Sequence, residues 1–298
     1  MKRIDLERKP IDKDKFRKRT ALLSDVSTTI KEDCIIYVNN EPVVFYKKLE
    51  TDTSALRWAV KNQKYSTGKR SRGLVSTSNI FGYSPRIPMR HDYCTVTAMA
   101  KNYPKQHYII TNFVSELVDY YKEYFPQQYE HHTETVKERV MNDWTIGASP
   151  FTSGIVNKNN QLKYHYDAGN FKGVLSNMVV FKSDIIGGHL VIPELDIALE
   201  VADNTLTIFN GQDILHGVSD IQYKNNSSYR YSVVYYSLEQ MWKCEPLDGE
   251  IKRIRKLKTE REKKRLDPVH MDSLKKRQEE LKSHSDKEFF KSAEKNDK

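Results

Sequence analysis

Tyr164-His165-Tyr166-Asp167-Ala168-Gly169-Asn170 begins the stretch that decides how this chain reads, and Tyr236 ends it. Between them stand Gly187-Gly188-His189-Leu190-Val191-Ile192-Pro193, then His216, then Tyr229-Arg230-Tyr231-Ser232 in a strand-like apolar run. Side chains at i and i+2 of a strand point to one side, so His165 and Asp167 can grip one ion while Tyr166 packs on the opposite face. His216 must arrive from a distant strand, behind the apolar pair Ile214-Leu215. Two imidazoles and one carboxylate form the donor set of a non-haem Fe(II) facial triad, which leaves about three octahedral positions open for a chelating cosubstrate and O2. His189 is the rival third ligand, but it sits directly after the glycine pair and lacks a well-spaced Arg downstream.

Arg230 follows His216 by fourteen residues on the alternating run Tyr229–Val234. A planar guanidinium holds a carboxylate through two parallel hydrogen bonds, and Ser232, on the same side of the strand, adds another. An Arg so placed looks like the site for the far carboxylate of 2-oxoglutarate. The competing reading is an exposed Arg on an edge strand. Aromatic and β-branched neighbours predict burial instead, and a buried guanidinium needs an anionic partner. Asn177 is a candidate for the near carboxylate or keto group of the cosubstrate, with ordinary core hydrogen bonding as the competing reading. Asn170 is a candidate to steady Asp167 from behind. Lys224, in the polar turn Tyr223–Asn226, is a poor alternative anion partner.

The ordered set resembles the double-stranded β-helix core of the Fe(II)/2-oxoglutarate dioxygenases, and within them the TET/JBP branch. The pieces that carry the resemblance are His165-Tyr166-Asp167-Ala168-Gly169-Asn170, Gly187-Gly188-His189-Leu190-Val191-Ile192-Pro193-Glu194, and Arg230-x-Ser232. It spans roughly residues 85–240. It implies a mainly β fold with flanking helices around a jelly-roll, cupin-like core. It also implies Fe(II), with 2-oxoglutarate and O2 as cosubstrates, and hydroxylation of a 5-methylpyrimidine, thymine or 5-methylcytosine, in DNA. A target base must then be unstacked to reach the iron.

A chain of 298 residues holds one large domain with extensions, or two small ones. Three widely spaced cysteines, Cys34, Cys94 and Cys244, predict ordinary thiols in a reducing intracellular compartment, cytoplasm or nucleus, and speak against a disulfide framework. No apolar run approaches the ~20 residues of a membrane span, and the N-terminus has no signal-peptide core. The net charge of +9 is uneven. Residues 1–20 hold nine Lys/Arg against four Asp/Glu, residues 61–72 hold five against none, and residues 250–298 hold seventeen against eleven. Cations concentrated in flanking segments suit arms that meet a polyanion; lysine-rich tails that only confer solubility are the bland alternative.

In chain order, residues 1–84 read as an N-terminal extension, flexible at first. A short hairpin follows, Ile35–Val38 with Val43–Tyr46 around Asn39-Asn40, then a helix over Ser54–Lys61. Lys64–Pro88, rich in Ser, Gly, Thr and Arg, reads as a long loop. Its Arg70, Arg72 and Arg86, with Arg90 just beyond, are candidate phosphate contacts; Phe81 and Tyr83 are candidate rings for a base. Tyr235 and Tyr236 on the Arg230 strand are further ring candidates, although core packing is the commoner fate of such tyrosines. Helical spacing predicts buttressing helices over Thr95–Ala100, Thr111–Phe125 and His132–Met141, with His131-His132 a solvated surface pair. From Trp144 onward, eight short strands are expected: Phe151–Val156, Leu162–Asp167, Val174–Phe181, His189–Ile192, Ile197–Val201, Thr205–Phe209, Leu215–Val218 and Tyr229–Ser237. The oxygenase domain is thus placed at 85–240, with a basic tail at 241–298 that is helical or disordered.

Two other functions fit the same core. A protein hydroxylase of the prolyl type would not need basic arms and would bind with little salt dependence. A non-catalytic, cupin-like binding module would not need the full set of His165, Asp167, His216 and Arg230.

Overall fold

The computed structural model describes residues 1–16, 19–69, 75–87 and 91–293. The chain opens with β1 (Lys2–Asp5) and β2 (Thr28–Ile30), with the one-turn α1 (Lys13–Phe16) between them. β3 (Cys34–Val38) and β4 (Glu41–Lys48) then form the expected hairpin. Asn39 and Asn40 turn it with φ of 51° and 64°, the left-handed pair that a tight hairpin requires and that Asn tolerates. β1 pairs parallel to β3, so the expected flexible start is in fact an edge strand. α2 (Ser54–Lys61) falls where its periodicity predicts, burying Leu56, Ala59 and Val60.

The expected loop over Lys64–Pro88 is instead a hairpin of β5 (Ser66–Lys69) and β6 (Val75–Ser84). Its Ser and Thr residues are cross-strand partners, as in the 2.9 Å contact between the Thr67 and Thr77 hydroxyls. After β7 (Thr95–Val96) come α3 (Ala98–Asn102), α4 (Pro104–Phe113), α5 (Ser115–Tyr124) and α6 (Pro126–Arg139). The single helix expected over Thr111–Phe125 is therefore two, and the next begins at Pro126 rather than His132. Pro104 and Pro126 occupy first helical positions, where a missing N–H costs nothing, so they start helices as well as end the preceding ones.

The remaining strands are β8 (Ser153–Lys158), β9 (Ser176–Ser183), β10 (Ile185–Gly187), β11 (Leu190–Ile192), β12 (Ile197–Leu199), β13 (Thr205–Phe209), β14 (Gly217–Val218), β15 (Ile221–Tyr223) and β16 (Tyr229–Tyr236). Leu162–Asp167, expected as a strand, is irregular and makes one isolated bridge, His165 with His216. The large sheet runs β1-β3-β4-β13-β9-β16-β8-β6-β5, with β7 beside β6; a small sheet runs β14-β11-β12-β2, and β10 pairs with β15.

Alternation along the large sheet divides its side chains between two cores. Ile36, Val44, Met178, Val180 and Phe209 meet Leu190, Ile192, Ile197 and Leu199 of the small sheet. On the other face, Val179, Phe181, Ile208, Val233 and Tyr235 meet Ile110, Leu117, Tyr121 and Phe125 of the helices. Each such aliphatic or aromatic burial is worth roughly 1.5–3 kcal/mol before its entropy cost. Tyr235 is fully buried among them and donates its hydroxyl to Ile110 O at 2.8 Å.

Two sequence expectations are corrected here. Cys94 and Cys244 form a disulfide, with Cα atoms 5.7 Å apart and 150 residues between them in sequence. They are therefore not ordinary thiols, and the cysteine count no longer argues for a reducing compartment. Cys34 stays a free, buried thiol, pushed up to about 12 by burial. His132 is fully buried and lies 2.7 Å from the Ser237 hydroxyl; only His131 of that pair is exposed. From Leu247 on, the described residues form a separate compact unit of two helices, α7 (Leu247–Leu266) and α8 (Pro268–Ala293). Among the described residues, no helix is long and apolar enough to cross a membrane.

Candidate active site

Beside the small sheet, backbone hydrogen bonds hold three short segments together. His165 N–H donates to His216 O at 2.9 Å, His216 N–H returns to His165 O at 3.1 Å, and Asp167 N–H donates to Gly211 O at 2.8 Å. Each imidazole is oriented by its own backbone: His165 Nδ1 lies 2.8 Å from Lys163 O, and His216 Nδ1 lies 2.9 Å from Ile214 O. A carbonyl only accepts, so Nδ1 carries the proton and Nε2 the lone pair. The two Nε2 atoms stand 3.7 and 3.8 Å from Asp167 Oδ1. One donor atom from each residue lies within 4.8 Å of the others, a group that can hold a metal ion. Gly211 closes against it: a Cβ there would collide with the Asp167 carboxylate and reach 3.1 Å from His216 Cε1.

The cluster opens into a cavity of about 290 Å³, lined also by Arg230, Ser232, Asn157, Asn160, Tyr236 and Leu238. Arg230 is 2% exposed. Its Nε donates to Gly188 O at 3.1 Å, while the buried Nη2 has no hydrogen-bond partner. Burial alone pushes the guanidinium down to about 10, still a cation at neutral pH. A buried cation with an unpaired N–H costs several kcal/mol unless an anion meets it, so this wall is built for a carboxylate or similar group. Gly188 permits the approach: its φ is +67°, and a Cβ there would lie 2.9 Å from Arg230 Cδ.

Ser232 accepts from Asn157 Nδ2 at 3.2 Å, and Asn160 Nδ2 donates to Asn157 Oδ1 at 3.1 Å. Asn160 is itself locked onto the Thr77 backbone, accepting its N–H and donating to its carbonyl. Neither Asn157 nor Asn160 is marked as a site residue by the sequence alone. The pairing of Asn157 with Ser232 across the sheet is the signal that places it in the cavity, and register is not visible in one sequence.

The other expected site residues divide clearly. Tyr236 lines the cavity, as does Asn170, whose Nδ2 donates to Ser176 Oγ at 3.2 Å. Asn177 is corrected: it pairs with Tyr235, so it faces the helices rather than the cavity, fully buried with both amide atoms unpartnered. Phe81 is corrected as well, being fully buried edge-on against Tyr235. Tyr83 is half-buried against Trp144, and Arg86 pairs with Glu245 at 2.9 Å, so neither lines the cavity. His189 lies outside the metal-binding group and Lys224 is exposed. Arg70, Arg72 and Arg90 lie outside the described residues.

A two-sheet β core with an inward His/Asp/His group and a buried Arg beside it defines an oxygenase of the Fe(II)/2-oxoglutarate class. The chain matches the Tet_JBP family, described as the oxygenase domain of the 2OGFeDO superfamily, over residues 88–239, and it belongs to that family. No curated protein matches it. Among solved structures, NgTET1 in complex with 5mC DNA aligns with a TM-score of 0.53 at 12% identity, over 80% of this chain and 88% of that one. A 2OG-Fe(II) oxygenase family oxidoreductase from Burkholderia pseudomallei gives 0.44 at 11% identity, over 65% of this chain and 84% of its own. OsALKBH1 gives 0.38 at 16% identity, over 66% and 97%. At 12% identity, the likeness to NgTET1 speaks to the fold alone. The chain is an Fe(II)- and 2-oxoglutarate-dependent dioxygenase that uses O2.

Proposed function

We propose that this enzyme hydroxylates the 5-methyl group of a pyrimidine in DNA, with His165, Asp167 and His216 as iron ligands and Arg230 with Ser232 as the cosubstrate anchor. The observation that carries the chemistry is Arg230: a fully buried guanidinium, one N–H unpaired, on the wall of the cavity that holds the His/Asp/His group. The donor set fits Fe(II), since two neutral imidazoles and a carboxylate are its usual ligands. When bound, iron with 2-oxoglutarate supplies the oxidising power for C–H hydroxylation.

The chain's own residues do the rest. The two Nδ1–H bonds fix both imidazoles with Nε2 toward the ion. Arg230 and Ser232 seize the far carboxylate, setting the distance between the cosubstrate and the ligand cluster. Val234, Ile155, Met178, Leu190 and Phe209 line the remaining walls and exclude water from a reactive centre.

The substrate assignment draws on family membership, on the 5mC DNA held by NgTET1, and on the charge distribution. Tyr236, at the end of the Arg230 strand, offers a ring inside the cavity for an extruded base. Four of the nine cations of the first basic segment pair within the fold: Lys2 with Glu32, Arg3 with Asp5, Lys9 with Asp196 and Arg19 with Asp25. We assign the polyanion role chiefly to residues 61–72, five cations without an acid, and to α7, which carries Lys252-Arg253-Ile254-Arg255-Lys256-Leu257-Lys258 with no acid. In this reading residues 85–240 do the chemistry and 241–298 help hold DNA, inside the cell. Incubation with Fe(II), 2-oxoglutarate and DNA bearing thymine or 5-methylcytosine, followed by nucleoside mass spectrometry, is expected to yield a 5-hydroxymethyl product. Succinate without any oxidised pyrimidine rejects the substrate assignment.

A further inference from the structure

We infer that Glu194 is a positioning residue for the metal cluster, holding its two ligand-bearing segments at a fixed separation from the far side of the small sheet. Glu194 sits on the turn Pro193–Leu195 that follows β11 and is 2% exposed. One of its oxygens, Oε1, takes two hydrogen bonds: Tyr166 OH at 2.9 Å and Leu215 N–H at 3.3 Å. Tyr166 lies between the ligands His165 and Asp167, and Leu215 immediately precedes the ligand His216. A single carboxylate oxygen thus joins the two segments that must present their donors together. Leu215 packs in a small core with Ala21, Tyr164, Val191 and Ala198, and Tyr166 packs against that core while also lining the cavity.

Backbone bonds fix part of the spacing between the segments: besides the His165–His216 pair, Asp167 N–H donates to Gly211 O at 2.8 Å and Val218 N–H to Leu162 O at 2.9 Å. The segments share one isolated bridge, His165 with His216, and beyond it Leu162–Asp167 forms no regular ladder. A buried carboxylate is costly to desolvate, and removing it alone would leave the Tyr166 hydroxyl and the Leu215 N–H without their acceptor. Here Oε2 lies 3.5 Å from Arg8 Nε, a side chain 45% exposed, which compensates the charge only in part. Glu194 therefore contributes geometry: it adds a side-chain tie between Tyr166 and Leu215 where the backbone supplies scattered bonds and no continuous ladder.

The inference rests on the ligand assignment proposed above, and Co(II) titration of the full chain tests the two separately. Wild-type protein is expected to bind Co(II) with a d–d spectrum that His216→Ala loses. Tyr166→Phe, which removes one hydroxyl from a half-buried ring, is expected to weaken Co(II) binding about 10-fold and to alter the spectrum, the scale typical of outer groups that orient ligands. Glu194→Leu is expected to weaken it on the order of 10–100-fold, whereas Glu194→Gln, which keeps the accepting oxygen, stays within about threefold of wild type. Adding Tyr166→Phe to Glu194→Leu is expected to cost nothing further. Should Glu194→Leu not fold by circular dichroism, Tyr166→Phe and Glu194→Gln still decide. Wild-type affinity and spectrum in Tyr166→Phe overturn the role of Glu194; a wild-type chain that binds no Co(II) overturns the ligand assignment and the inference with it.

Discussion

His165 and His216 face each other across a single antiparallel bridge, each donating its backbone N–H to the other's carbonyl, with ring centroids 4.4 Å apart. The two imidazoles are therefore set by one pair of hydrogen bonds rather than by a long ladder. Asp167 joins them through its own bond to Gly211, in the turn that leads to His216. An ion held there would tie together segments that the sheet leaves loose.

An open iron site is not expected to supply folding energy as a closed structural zinc site does. His216→Ala should therefore abolish succinate formation while the melting temperature of the metal-free protein stays within a few degrees of wild type. Succinate release and a thermal melt on the same preparation check both halves. Full turnover in this variant removes His216 from the ligand set.

Arg230→Ala should raise the 2-oxoglutarate requirement steeply, by on the order of 2–4 kcal/mol for a buried, charge-assisted, two-pronged contact. Arg230→Lys recovers only part of this, because a point charge cannot reproduce the fork. Gly188→Ala should act in the same direction, since its Cβ would press on Arg230 Cδ from a backbone with φ +67°. The apparent KM for 2-oxoglutarate, measured by succinate release, is the readout. An unchanged KM in Arg230→Ala removes that residue from the cosubstrate site.

Gly211→Ala tests the back of the cluster without touching a ligand. The new methyl would occupy the space of the Asp167 carboxylate, so metal affinity should fall together with about 1–3 kcal/mol of stability. Metal titration and a denaturant melt read the two effects. A variant that binds metal normally shows that the turn yields more easily than its contacts with Asp167 and His216 suggest.

What one sequence carries well is alternation, and the ligand and anchor residues were legible for that reason. Arg230 and Ser232 share a face because they are two apart on one long strand, Tyr229–Tyr236, and the cavity receives both. Parity between strands is another matter. Asn177 and Phe81 each sit one residue from a position on the cavity side, and only the pairings Tyr235–Asn177 and Phe81–Gly154 reveal that both face the helices. The pairing of β5 with β6 is hidden because their Ser, Thr and Gly residues favour turns locally, while the strand state of β6 is decided by pairing with distant β8. The Cys94–Cys244 pair was likewise invisible, since 150 residues separate two segments that only the fold brings together.

The substrate prediction concerns the way binding depends on salt. Lys252, Arg255, Lys256 and Lys258 are exposed on α7, with no acid between residues 252 and 258. If they meet phosphates, log K should fall by ~0.9 per phosphate neutralised on duplex DNA and ~0.7 on single strands as log salt rises. Replacing these four by Gln should weaken binding about equally for every sequence and flatten the salt slope, because phosphate contacts position a protein without specifying a site. Tyr236→Ala should behave differently, losing ~1–3 kcal/mol only for DNA whose target base enters the cavity, with the salt slope unchanged. Phe81→Ala, by contrast, should damage the fold before it damages recognition, since Phe81 is buried in the core. Fluorescence anisotropy over a range of salt concentrations, paired with the nucleoside assay, separates these outcomes. Salt-insensitive, weak binding by the wild-type chain, with no oxidised pyrimidine, would transfer the same catalytic centre to a protein substrate.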